Sequence, residues 1–561
     1  MGIRSFLWQS GTVATFFIST GYSENPVVQT LYTADPAPMV YNDTVFLYTG
    51  HDEDSPAEYF DMKEWRCYSS VDLANWTDQG SPLNVTTFSW AQCNAWAGQC
   101  VHRNGRFYFY APVIPKEPSP TSEGSPQAIG VGVAMNPAGP FTDAIGRPLL
   151  VHPTCCYIDP TVFVDDDGQA YLYWGLTRLF MVKLNEDMIS YSGDITEIPL
   201  TKETFGSAYA EGPWLYQRNG RYYMLYAGTG TVPGMEDIRY STAPGPGGPW
   251  VYGGIIMNTQ GLTRAQPCTS WTNHPAVFDY RGGSYFAYHN AGLPGGAGFK
   301  RSVCIEQFFW NADGTIPLID MTLEGPPQIG HLNPYDTTEA ETFSRVSGIA
   351  TVPCSEGGMY VDSIHNGDWI KVEGVDFDAG AVSFEARVAS AGNGGSIELY
   401  LDTVSGPPGG TCKITGTGGW QTWVTRSCSL SGAEGVHDLF LKFTGGSGEL
   451  FNFNWWKFTP DPATGISDAA GKKKLFPTMV TVAMERTRLL RISFSSEVTA
   501  RQVRISLFDA SGRRVAVLVA AKMQGRSVSF LLDGAEVHAG AYIVRVSTDN
   551  GCLFTKMIVL Y

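Results

Sequence analysis

Five segments in the first 330 residues repeat one pattern, an aromatic-rich strand entered through a tight turn. They are NDTVFLYTG (42–50), NGRFYFYAP (104–112), DGQAYLYWG (167–175), NGRYYMLYAG (219–228) and GGSYFAYHN (282–290). Repetition of this kind restricts a chain to architectures in which each unit buries its apolar face against the next. Asn-Gly, Asp-Gly and Gly-Gly tolerate the positive φ of a two-residue hairpin turn, so each segment reads as a strand leaving a hairpin. The first repeat departs, with Asp43-Thr44 at the turn. Spacings of 52–63 residues between equivalent positions leave room for one four-stranded antiparallel sheet and its loops. Five such sheets set radially make a five-bladed β-propeller, whose edges are short and protected.

Eight residues before the turn, the repeats place Asp35, Trp96, Asp159, Glu211 and His274 at one phase. Four of them precede proline directly or after glycine: Asp35-Pro36, Asp159-Pro160, Glu211-Gly212-Pro213 and His274-Pro275. Trp96-Ala97-Gly98 is a looser version. In a propeller one phase means one radius and one height, so these side chains converge at one mouth of the central channel. A lone Asp-Pro is ordinarily a strand-entry or turn device. Three carboxyls at one phase are different, because clustered acids cost desolvation and repulsion unless something uses them. One use is hydrolysis of a glycosidic bond, in which one carboxyl protonates the leaving oxygen and another activates water. Carboxyls about 6.5–9.5 Å apart leave room for that water and invert the anomeric centre. A third carboxylate can keep the acid protonated and orient it. The competing use is a calcium cage built from the same groups.

Thr33-Ala34-Asp35-Pro36, Tyr157-Ile158-Asp159-Pro160 and Ala210-Glu211-Gly212-Pro213, in this order and spacing, resemble the motifs of glycoside hydrolase family 43. The resemblance covers roughly residues 25–330 and implies an inverting mechanism. In it Asp35 is the general base, Asp159 tunes and orients the acid, and Glu211 is the general acid. His274 matches the family's axial histidine, which contacts a central metal ion or its waters. Arg301, in Lys300-Arg301-Ser302, resembles an arginine that approaches the substrate. Trp96 and Trp90 can stack on sugar faces or pack between blades. His51 and Asp52, at the end of the first aromatic strand, are a candidate pocket pair or a solvated turn. The stretches TGHDED (49–54) and WAQCNAWAGQ (90–99) resemble the arabinofuranosidase branch that acts on decorated xylan. The expected activity is exo-acting removal of α-L-arabinofuranosyl side chains from arabinoxylan, with a β-xylosidase or a bifunctional xylosidase/arabinofuranosidase as the near alternative. Two alternatives from other classes are a non-catalytic polysaccharide-binding propeller and a cell-surface adhesin.

The propeller is expected over 24–333, and from 336 to 459 the texture changes to alternating strands such as SFEARVAS and SIELYLDT. Thr338-Glu339-Ala340-Glu341, Ile364-His365-Asn366-Gly367-Asp368-Trp369, Gly418-Gly419-Trp420-Gln421-Thr422-Trp423 and Phe451-Asn452-Phe453-Asn454-Trp455-Trp456 resemble carbohydrate-binding module family 6. That resemblance implies a β-sandwich jelly-roll in which Trp420 is one wall of a sugar clamp and Asn452 the hydrogen-bonding amide. It also implies a structural calcium held by Glu339 and Glu341. Ser363 stands where the family carries the tyrosine of the second wall, and Asn454 replaces an aspartate beside the calcium. Trp423 and Trp455 read as core.

A Pro/Gly/Ala linker (460–475) leads to a last segment, 476–561, of a length that fits a small immunoglobulin-like β-sandwich. Its SLFDASGR (506–513) and AGAYIV (539–544) resemble a bacterial C-terminal sorting domain, which implies a partner in the secretion machinery. Residues 1–23 read as a signal peptide or leader. The chain is therefore expected to be bacterial, and secreted or attached to the cell surface. A net charge of −16 argues against nucleic acid as a partner. No apolar run reaches the ~18 residues of a transmembrane helix. Eleven cysteines leave at least one unpaired; Cys93 with Cys100, Cys155-Cys156, and Cys412 with Cys428 are the close sets, and one or two disulfides are expected.

Overall fold

A computed structural model describes residues 24–461, apart from 58, 123, 231–233, 260, 263–266 and 269–270, together with the backbone of strands between 480 and 560. The expected leader (1–23) and nearly all of the expected linker (460–475) lie outside the described residues. The fold is all-β. Among the described residues the helices are a four-residue α-helix, Lys202–Phe205, and a single 3-10 turn, Val85–Thr87.

Five antiparallel sheets of three or more strands follow one another along the first 310 residues, with a two-stranded ribbon, Gly261–Leu262 and Pro267–Cys268, between the last two. Their first two strands are Tyr32–Tyr41 with Thr44–Asp52, Gln99–Arg103 with Arg106–Pro115, Thr161–Val164 with Ala170–Trp174, Tyr209–Arg218 with Arg221–Thr229, and Ala276–Tyr280 with Gly283–Asn290. The aromatic repeat is the second strand of each sheet, as the pattern predicts. These strands are almost wholly buried, and the cores between sheets are built on Tyr48, Tyr110, Tyr173, Tyr226 and Tyr288. The last sheet, closed by Ser302–Phe308, is completed by residues 25–33. Val27 and Thr33 donate backbone N–H groups to the carbonyls of Val303 and Arg301 at 2.9 Å. Asn25 Oδ1 accepts the N–H of Ile305.

Two turns differ from the expected positions. The first sits on Asn42-Asp43, both at positive φ, with Tyr41 paired to Thr44. The fifth sits on Arg281-Gly282, with Tyr280 paired to Gly283. Each is one residue earlier than read from the sequence, because Asn, Asp and even Arg adopt the left-handed conformation when strand register demands it.

The second body of the fold is a β-sandwich. One sheet runs through Ala350–Pro353, Met359–Asp362, Asn452–Pro460, Ala381–Ser390 and Gly419–Ala433. The other runs through Arg345–Ser347, Trp369–Asp376, Val436–Gly445, Gly395–Leu401 and Gly410–Ile414. Trp456 and a set of phenylalanines fill the space between them. Trp423 and Trp455, expected in this core, are only half-buried. The sandwich is joined edge-on to the first sheet: Thr342–Phe343 pairs with Trp76–Asp78, and Asn75 exchanges two hydrogen bonds with the backbone of Glu373 (2.8 and 2.9 Å).

Residues 461–561 form a separate unit. Its backbone contains a three-stranded and a four-stranded antiparallel sheet, the latter ordered Arg514–Ala520, Val503–Asp509, Gly540–Thr548, Gly551–Leu560.

Candidate active site

Antiparallel pairing puts the start of a sheet's first strand beside the end of its second and the start of its third. Thr33 pairs with His51, Tyr209 with Gly228, Thr229 with Glu236, and Asn290 with Ser302. Polar residues at these three positions lie at one edge of their own sheet, and Asp35, Asp52, Asp159, Glu211 and Arg301 come together in one cluster of buried charges.

Asp35 and Glu211 sit on bulges. Pairing jumps from Ala34 to Ala37 and from Glu211 to Trp214, skipping Pro36 and Pro213, which have no N–H to give. The residue before proline is left-handed in all three acid motifs: Asp35 at φ 54°, Asp159 at 53° and Gly212 at 62°. The kink takes Asp35 out of the ladder, whereas Glu211 still pairs with Ala227. Gly212 must also be small, since a Cβ there would come within 3.0 Å of His274 Nδ1.

Arg301, 2% exposed, ties the cluster together. Its Nε and Nη2 bind both oxygens of Asp52 at 2.9 and 2.8 Å, and its Nη1 binds Asp35 Oδ1 at 2.9 Å. Nη1 also reaches Thr272 Oγ1 and Nη2 reaches Met62 Sδ, while the guanidinium lies 4.9 Å over the Phe60 ring. Arg301 is thus held on both Asp52 and Asp35. Asp52 is no solvated turn but the anchor of that arginine. Its neighbour His51 bonds Glu64 through Nδ1 at 3.2 Å.

Four carboxyls face this one guanidinium, so the cluster retains protons. Burial raises Asp35 to about 6 against the pull of Arg301, with Asp52 adding to the rise. Burial and the charge of Asp35 raise Glu211 further, to about 7. Burial, then Glu211 and Asp35, push Asp159 well up. Its visible contact is orientational: Oδ2 accepts the Gly212 N–H at 3.0 Å and fixes the peptide that carries Glu211. Burial and Arg301 drive His274 down to about 3, so its imidazole is neutral.

Trp96 is half-buried against the core between the first two sheets; its carbonyl accepts the Trp65 indole N–H and its own N–H binds Pro112. Trp90 gives its indole N–H to Asp143 and packs on Phe88. These contacts tie both tryptophans to the first two sheets.

Sequence reasoning missed two members of the cluster. His289, fully buried at the end of a second strand, accepts the N–H of Asp35 on Nδ1 at 3.1 Å. Glu236, at the start of a third strand, accepts the Asn273 N–H at 2.8 Å and is pushed well up by burial and by Glu211. Both lie off the repeat phase that singled out Asp35. Each is nonetheless a polar residue at the strand end that borders it.

In the sandwich, Trp420 is 36% exposed and Asn452 is buried beneath it, its amide donating to the Trp420 carbonyl at 2.6 Å. Tyr360 is buried and meets Trp423 edge-on, so it offers no second wall. Glu341 is 2% exposed, its Oε2 has no partner, and burial, with Glu339 and Asp78 nearby, raises it to about 9. An orphaned carboxylate oxygen beside Glu339 is a donor set that suits a hard divalent cation. Asn454 donates its amide to Glu356 and its carbonyl accepts the Ala340 N–H, which keeps it in the same neighbourhood. Among the described residues no three or more His, Cys, Asp or Glu are grouped as metal ligands, around His274 or elsewhere. Cys155 and Cys156 form a disulfide just ahead of Asp159, whereas Cys93, Cys100, Cys412 and Cys428 are free thiols.

Residues 23–316 match glycosyl hydrolases family 43, and residues 339–460 match carbohydrate binding module family 6. An arabinoxylan arabinofuranohydrolase of Bacillus subtilis (strain 168) is 34% identical, over 78% of this chain and 92% of its own length. Another, of Paenibacillus polymyxa, is 33% identical over 78% of this chain and 75% of its own. The crystal structure of a Bacillus subtilis arabinoxylan arabinofuranohydrolase in complex with cellotetraose superposes with a TM-score of 0.67 at 34% identity, covering 78% of this chain and 97% of that one.

Proposed function

The chain belongs to glycoside hydrolase family 43, and from that premise we propose that it removes α-L-arabinofuranosyl side chains from arabinoxylan with inversion. Asp35 is the general base, Glu211 the general acid, and Asp159 the residue that holds Glu211 in line. The observation that carries this is the asymmetric placement of Arg301. Its guanidinium bonds to Asp35 and not to Glu211, so Asp35 loses its proton first (about 6 against about 7). Between those values one carboxyl can take a proton from water while the other gives one to the leaving oxygen. Asp52 holds Arg301, and neutral His274 stands beside Gly212 as a hydrogen-bonding group.

The five sheets, with residues 25–33 closing the last against the first, are read as five propeller blades. The similarity to arabinoxylan arabinofuranohydrolases over both the catalytic domain and the sandwich supports arabinoxylan as substrate. Trp420 is read as the platform on which the module receives a xylan chain. Glu339 and Glu341 would hold a structural calcium, with Asn454 nearby. A metal at the propeller axis would be met by His274 and water. The C-terminal unit is read as an immunoglobulin-like sorting domain engaged by secretion machinery, which would make the enzyme secreted or cell-surface attached.

Arabinose release from arabinoxylan by wild type and Glu211→Ala tests the reading. Loss of about 10²-fold or more is expected, and unchanged release would sink the assignment. Parallel aryl α-L-arabinofuranoside and β-D-xyloside assays separate the arabinofuranosidase from the xylosidase alternative.

A further inference from the structure

His289 lies beside the base and neither gives nor takes a proton in the proposed reaction. Its ring bridges two elements. Nδ1 accepts the backbone N–H of Asp35 at 3.1 Å, and Nε2 lies 2.9 Å from the carbonyl oxygen of Thr272 and 3.3 Å from that residue's hydroxyl. A ring nitrogen accepts an N–H only when it carries no proton, and a carbonyl oxygen only accepts. One form satisfies both contacts, the neutral imidazole protonated on Nε2. The surroundings keep it neutral: the ring is 0% exposed, and burial, then the charges of Arg301 and His274, hold it well below the usual imidazole range.

This tautomer has two consequences for Asp35. It pairs the N–H of a residue held at φ 54°, where a non-glycine backbone is strained and its N–H is lost to the ladder at the bulge. It also leaves Nδ1 with no proton to give Asp35 Oδ1, which lies 3.4 Å away. That oxygen takes its hydrogen bond from Arg301 Nη1 instead, at 2.9 Å. His289 thus holds the backbone of Asp35 while Arg301 holds its carboxylate.

We infer that His289 is a positioning residue for the general base. Locked as its Nε2–H tautomer by Thr272, it fixes the backbone of Asp35 and aims its carboxylate at Arg301 and the attacking water. The inference rests on Asp35 being the base. A side chain that misplaces the base by about 1 Å costs on the order of 10²-fold in rate without a matching loss of binding.

The test compares wild type, Asp35→Asn, His289→Leu and His289→Asn in the full chain, as pH profiles of kcat and KM on an aryl α-L-arabinofuranoside. His289→Leu should lower kcat about 100-fold with KM within about twofold, and should move the acidic limb to higher pH as Asp35 drifts from Arg301. His289→Asn, whose amide oxygen can still accept the Asp35 N–H, should recover about tenfold of that loss. Wild-type kcat and an unmoved limb in His289→Leu overturn the inference. So do Leu and Asn variants that are equally impaired with the limb in place, since that is the mark of a general folding defect. Should the Leu variant not fold, the limb of the Asn variant decides alone, and no shift from wild type together with no loss of kcat overturns the inference. An Asp35→Asn enzyme as active as wild type overturns the underlying assignment of the base instead, which separates the two failures.

Discussion

Replacing Arg301 with methionine removes the positive charge that keeps Asp35 ionised. The guanidinium and carboxylate are in contact at 2.9 Å, so their charge centres are about 4 Å apart. At an effective dielectric of about 20 that pair is worth about 4 kcal/mol, or about three pKa units on Asp35. From its starting value of about 6, the base would stay protonated until well above neutrality. At pH 6 the ionised fraction falls from about half to about one in a thousand, and kcat/KM falls with it. The rising limb of the pH profile moves up by as much as about three units and overtakes the falling limb set by Glu211, so the bell collapses rather than shifts. The assay is kcat/KM on an aryl arabinofuranoside from pH 4 to 10. Removing a partner from a buried pair also costs about 3–5 kcal/mol of stability, so Arg301→Met should be paired with Asp52→Asn to relieve the second orphaned charge. A rising limb that stays at its wild-type position in the folded variant refutes the claim that Arg301 acts through Asp35.

The wild-type enzyme should show a narrow bell in kcat/KM, lost below about 6 as Asp35 takes a proton and lost above about 7 as Glu211 gives one up; a broad plateau from 5 to 8 contradicts the coupling. Glu211→Gln should be far less damaging on an aryl substrate with an acidic leaving group than on arabinoxylan, by about tenfold or more, because such a group needs little protonation. Trp420→Ala should weaken retention on insoluble arabinoxylan by about 1–2 kcal/mol while leaving kcat/KM on a small soluble substrate unchanged, as measured by pull-down and initial rates. Chelation with EDTA should lower the melting temperature and added calcium restore it, and Glu341→Gln should abolish that response; an equal response in the variant argues against metal at this carboxylate.

The acids were legible because a repeat puts equivalent residues at equivalent places, and Asp35, Asp159 and Glu211 share both a phase and a following proline. What surrounds them obeys a different regularity. Asp52, His289, Glu236 and Arg301 belong to the ends of second strands and the starts of third strands, which antiparallel pairing carries to the same face. Loop lengths between those strands vary, so no fixed offset in the sequence marks them. The aromatic strands still held a usable signal, since YTGHD (48–52) and YHN (288–290) close on polar residues where a buried strand would otherwise stay apolar. The turn at Asn42-Asp43 was misplaced by one residue for a related reason: no glycine marks it, and register alone forces the backbone there. In the sandwich, Trp456 fills the core and its neighbour Trp455 does not, because side chains alternate across a strand and only the register tells which of the two faces inward.

Proton NMR of the first minutes of hydrolysis bears most directly on the acid and base working from opposite sides of the bond. With an α-L-arabinofuranoside as substrate, the β-anomer of free arabinofuranose should appear first and the α-anomer only by mutarotation. First appearance of the α-anomer would mean that a carboxylate had attacked the sugar itself, and the roles given to Asp35 and Glu211 would be wrong.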